Sequence, residues 1–144
     1  MPDIPNTGNN GLVLTSVGNG SNASVWTSSP LVLTLPYTYS VSGLLAVPSG
    51  YINYLPPFFF PVPSGQTVTL VSVIGMVRSG SCTLSIDQNG AGITGLTGLT
   101  FTNSATSHAP TSTVTVANND YFAPVISAVS SADGLSLTFY FKIT

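Results

Sequence analysis

The side chains able to move a proton, attack a carbonyl or hold a metal are few and scattered in this chain. There is one histidine, His108, one cysteine, Cys82, and no glutamate; the charged residues are Asp3, Arg78, Asp87, Asp120, Asp133 and Lys142. General acid–base catalysis needs a titratable group in reach of the proton it moves, and a nucleophile needs a base beside it. His108 lies in Ser107-His108-Ala109-Pro110, a polar stretch that reads as a loop, and no partner is indicated for it. Triads assemble in space, so a Ser-His-Asp arrangement stays geometrically open, but no Gly-x-Ser-x-Gly elbow is present. Cys82 falls on the apolar side of the alternation Ser81–Asp87, which reads as a buried small hydrophobe. A single cysteine forms no intrachain disulfide, a usage that suits a reducing compartment. Asp87, Asn89 and Gly90 form one oxygen-rich turn, and Asn118-Asn119-Asp120 a second. Calcium takes about six to eight oxygens and usually several carboxylates, so self-capping turn chemistry is the expectation at both. The sequence therefore predicts a non-enzyme, with no catalytic residue, no metal site and no cofactor.

A different kind of chemistry is suggested by Pro56-Pro57-Phe58-Phe59-Phe60-Pro61. Neighbouring strand residues point to opposite faces, so three consecutive Phe cannot share one core. Proline on both sides bars a central position in a sheet. At least one of Phe58, Phe59 and Phe60 must cover a second apolar surface. That surface is either a wide core wrapped by a loop or a contact with another subunit.

The elements that position these residues follow from composition. The chain is 43% hydrophobic but only 4% charged, against about one-quarter charged for an ordinary soluble domain. It can fold, and its surface must be built from Ser, Thr, Asn, Gly and backbone. A net charge of −2 gives weak colloidal repulsion, and near-neutral surfaces promote association. Two cationic side chains cannot support binding by counterion release, so no nucleic-acid partner is expected. The apolar stretch Leu44–Val62 is broken by Pro48, Gly50, Pro56, Pro57 and Pro61, which excludes a membrane helix. Met-Pro-Asp-Ile-Pro lacks the basic start and apolar run of a signal peptide. Without one, the sequons at Asn19 and Asn22 read as chance.

At 144 residues there is room for one core. Residues 1–36 are Asn-, Gly- and Ser-rich with short apolar pieces, among them Leu12, Leu14 and Trp26; they read as an extended arm that orders against something else. Residues 37–144 read as one β-domain. Strands are expected over Tyr39–Val47, Tyr51–Leu55, Thr67–Val77, Ser81–Asp87, Thr111–Ala117, Phe122–Val129 and Leu135–Ile143. Thr67–Val77 is apolar enough to be buried on both faces. Turns are expected at Pro48-Ser49-Gly50, Ser79-Gly80, Asn89-Gly90 and Asp133-Gly134, the last three as hairpins. Gly92–Thr100 repeats with period three and reads as a loop and short strand. No segment has a helical period. The class is all-β: an antiparallel β-sandwich or jelly roll with an extended N-terminal arm.

The segment Gly11-Leu12-Val13-Leu14-Thr15-Ser16, then Gly18-Asn19-Gly20, then a small-residue run ending at Trp26, resembles one that recurs in structural proteins of tailed bacteriophages. The stretch Phe60–Val68 resembles, more loosely, small β-rich decoration and tail domains. The resemblance implies a virion structural protein without catalysis, often trimeric, assembled in the bacterial host cytoplasm. Two placements follow from it. In a capsid decoration (cement) protein the arm meets the major capsid protein and the sandwich forms a trimeric knob. In a tail-fibre or tail-tip component the arm meets tail proteins and the β-domain binds a surface glycan. The absence of a fibre shaft favours decoration, and the Trp-ending motif favours a fibre. A homotrimer is expected, with Leu12, Leu14, Trp26, Phe58, Phe59 and Phe60 as assembly residues.

Overall fold

The computed structural model describes residues 12–16, 24–28, 32–47 and 51–144, the first two segments by backbone alone. Two short strands, β1 (Leu12–Ser16) and β2 (Ser24–Ser28), pair antiparallel, with Leu14 opposite Trp26. They form a two-stranded sheet of their own. The turn expected at Pro48–Gly50 lies outside the described residues.

All other strands belong to one antiparallel sheet. They are β3 (Leu33–Leu44), β4 (Asn53–Tyr54), β5 (Phe58–Phe59), β6 (Val68–Gln88), β7 (Ala91–Gly92), β8 (Leu99–Phe101), β9 (Thr106–His108), β10 (Val114–Val116) and β11 (Tyr121–Ile143). Pairing starts at Leu33 and runs through Pro36, which faces Tyr140, so the β-domain takes in residues ahead of 37. Proline is tolerated there because β3 is an edge strand.

The sheet becomes a sandwich because β6 and β11 are long enough to serve both layers. The first half of β6 pairs with Leu135–Ile143, β9 and β10; its second half pairs with Phe122–Ser130, β7 and β8. This corrects two expected hairpins. Ser79-Gly80 and Asp133-Gly134 do not reverse the chain; they are bends inside continuing strands. A hairpin would pair the halves of β6 with each other, whereas both halves pair with β11. Register slips between Ser130 and Asp133, opposite Gly80, and that bulge lets both strands turn the corner together. The Asn89-Gly90 hairpin forms as expected, with φ of 53° and 80° and Gln88 facing Ala91.

Thr67–Val77 is also corrected, since one face only is buried. Register slips between Tyr140 and Phe141, leaving Val71 bulged and exposed. Burial then runs Val68, Leu70 before the bulge and Val73, Val77 after it. The last half of β11 keeps a strict period of two, with Leu135, Leu137, Phe139 and Phe141 all buried. The Gly92–Thr100 stretch is a loop into β8, held by Thr111 N–H donating to Thr94 O at 3.0 Å. Between the layers lies one aromatic core: Phe58 meets Phe139 at 4.7 Å and Phe122 meets Phe141 at 5.5 Å between ring centroids.

Candidate assembly surface

β11 has two edges, and β6 occupies one of them along most of its length. β3, β4 and β5 must therefore share the other. Leu55 N–H donates to Pro124 O at 3.0 Å, and β4 and β5 are separate pieces because Pro56 and Pro57 between them, and Pro124 between their partners, have no N–H to offer. Folding of β11 lays β3 over β5. Tyr37 stacks on Phe58 at 4.4 Å, and Tyr39 Oη donates to Pro56 O at 3.0 Å. Burial, and then the neighbouring Tyr37, raise the Tyr39 phenol above its ordinary range, so it stays a donor. No charged residue lies between Asp3 and Arg78, so β3, β4 and β5 carry no charge of their own.

The three phenylalanines divide by the parity of the strand. Phe58 is 5% exposed and touches Tyr37, Phe122 and Phe139; Phe60 is buried with its ring stacked 4.0 Å from Phe141. Both belong to the chain's own core. Phe59 points outward, 60% exposed, with its ring edge toward Tyr121 at 6.2 Å. Tyr51, Ile52 and Tyr54 are exposed on the same short segment, at 70%, 57% and 65%. Sequence reasoning placed a strand there but missed this exposure; the signal available was the charge-free run up to Arg78. The side chains of Leu12, Leu14 and Trp26 lie outside the described residues.

The residues able to do chemistry are dispersed over other parts of the fold. His108 is on a strand, β9, and not in a loop; it is half-buried, with Phe101 edge-on at 5.4 Å. Its Nε2 and the Thr106 hydroxyl are buried without a hydrogen-bond partner. Cys82 is 1% exposed, and burial pushes its thiol up to about 11, so it is a protonated core residue at neutral pH. Arg78 donates to the Asp133 carboxylate at the bend, beside an open cleft of about 310 Å³ lined in part by Ser40, Ser42 and Gly134. Among the described residues no three His, Cys, Asp or Glu side chains converge on a common point, and no helix is long and apolar enough to cross a membrane.

The two oxygen-rich turns meet. Asp120 accepts from Ala117 N–H at 2.8 Å, Asn89 Nδ2 at 2.7 Å and Gln88 Nε2 at 2.8 Å, while Tyr121 N–H donates to Asn89 Oδ1 at 3.1 Å. These donors, Ala117 first, hold the Asp120 carboxyl below the usual carboxylate range against a smaller opposing effect of burial. A lowered folded pKa stabilises fully above the unfolded value, about 3.9, and that contribution is lost as pH falls through the folded value. Asp120→Asn turns one acceptor into a donor facing donors. It is expected to cost about 1 kcal/mol at pH 7, kept small by solvent screening. Denaturant melts of both proteins should converge as pH drops below about 4; a gap independent of pH would exclude the ionised carboxylate as its source.

No family model and no curated protein matches the chain. Among solved structures, one described as the structure of infectious bursal disease virus Gt strain aligns with 90% of this chain and 37% of its own, at 12% identity and a TM-score of 0.32. At that TM-score the likeness identifies neither a shared fold nor a shared function.

Proposed function

We propose that the chain is a virion structural protein of a tailed bacteriophage, acting as a capsid decoration (cement) protein that binds and stabilises the capsid surface. The observation that carries this reading is the separation of the two sheets. The Gly11–Trp26 segment, which resembles phage structural proteins, contains β1 and most of β2, an antiparallel pair that forms a sheet separate from that of the β-domain. A small sandwich with an attachment segment and a nearly uncharged surface suits a protein packed into an array of copies. The dispersal of His108, Cys82 and the aspartates suits a non-catalytic role. The Trp-ending motif and the exposed Tyr51, Tyr54 and Phe59 favour a second reading, a tail-fibre component whose rings stack on a host glycan.

Mass spectrometry of heads and tails separated from purified virions tests the placement. The chain is expected in the head fraction; recovery from tails alone would replace decoration with the fibre reading, and absence from both would remove the virion role. Attachment is tested by removing residues 1–31, a cut that spares β3. The β-domain is expected to keep its cooperative melt, while occupancy on particles falls sharply. Full occupancy without the arm would refute arm-mediated attachment.

A further inference from the structure

The geometry points to the β3–β4–β5 flank as the surface on which a second copy of this chain docks, with β3 offering its open edge for strand pairing. This deepens the virion reading, in which copies meet in an ordered array, by naming the contact. β3 is 12 residues long, and its register with β11 is unbroken from Leu33 to Val41. Among the described residues nothing pairs with its other edge. The other outer strands of the sheet are only two or three residues long. Short edges, charges and bulges are the usual protection against edge-to-edge association. β3 has none of these: no charge, no bulge over that run, and Pro36 alone to interrupt its donors.

A row of free N–H and C=O groups is best satisfied by another strand. Among the described residues the open edge long enough to match β3 is β3 of a second copy, and an antiparallel pair is self-complementary about a two-fold axis. The stacked layer beneath adds the apolar part of the contact. Tyr37 over Phe58 brings β3 alongside the segment that exposes Tyr51, Ile52, Tyr54 and Phe59, and apolar surface of that kind marks interaction sites. β3 itself carries no charge; the charged side chains beside it are Lys142, in register opposite Thr34, and the mutually paired Arg78 and Asp133 near Ser40–Gly43.

Light scattering of the isolated full chain, 14.8 kDa as a single copy, tests this. The expected mass is that of two copies. Ser40→Lys on the exposed face of β3 and, separately, Tyr54→Asp should each return the mass to one copy while the melt stays cooperative; if one of the two misfolds, the other decides. Thr115→Lys, on the far edge strand β10, should leave the mass unchanged. A wild-type chain of single-copy mass at micromolar concentration overturns the proposal, as does full assembly by the folded Ser40 or Tyr54 variants. The readout is the mass of isolated protein, so its failure leaves the virion placement standing, and failure of the placement leaves the docking surface standing.

Discussion

Phe58→Ala is expected to cost about 3–5 kcal/mol in folding stability, whereas Phe59→Ala, one residue on, should change it by less than about 0.5 kcal/mol. The two side chains have the same transfer free energy; position alone separates them. Phe58 sits between the layers with rings of Tyr37, Phe122 and Phe139 within 4.4–5.7 Å, drawn from β3 and from both halves of β11. Removing it leaves a cavity that neither layer can close without shifting the other, which places the cost at the high end for an aromatic truncation. Phe59 has solvent over most of its surface and one ring neighbour, Tyr121. Urea denaturation of the two variants at low protein concentration, where self-association is minimal, makes the comparison. Equal losses would show that the strand parity over 58–60 is wrong.

Gly80→Ala is expected to cost about 2–5 kcal/mol, combining a left-handed backbone with overpacking. Gly80 has a φ of 70°, and a Cβ there would collide with the carbonyl oxygens of Ser130 and Ser131 across the bend. Those carbonyls belong to the bulge that lets β11 follow β6 from one layer to the other, so neither side can give way without disturbing the corner. Gly43→Ala is the control. Its φ is 88°, but a Cβ would meet nothing within 4 Å, so only the conformational cost of about 1–2 kcal/mol is due. Thermal melts of the two proteins decide the matter; a Gly80 variant no worse than the Gly43 variant would mean that the corner relaxes freely.

The strands themselves were legible because side-chain alternation is a local property. Leu135, Leu137, Phe139 and Phe141 announce a one-sided strand by spacing alone, and Asn89-Gly90 announces a hairpin by its backbone preference. Ser79-Gly80 and Asp133-Gly134 carry the same local chemistry as a hairpin, yet the chain runs on through both. Glycine permits a bend in either direction; whether it reverses or continues depends on which strand supplies the hydrogen bonds, and here that strand is β11, far away in sequence. Register is equally non-local. The bulge at Val71 that turns Thr67–Val77 from a two-faced apolar run into a one-faced strand is set by pairing with Tyr140 and Phe141.

The same division holds for the surface. Sequence alone determined that this chain is all-β, that almost no charge is available to its surface, and that the three Phe cannot share one core, because composition and strand parity require no partner to be known. Only the tertiary structure decided that Phe58 and Phe60 are internal and Phe59 external, that His108 lies on a strand beside Phe101, and that the long edge of β3, unpaired among the described residues, shares one flank with Tyr51 and Tyr54. Burial is a property of pairs of elements, and the pairing of β3 with a strand about a hundred residues downstream is fixed by the fit of whole faces, which no local window of sequence contains.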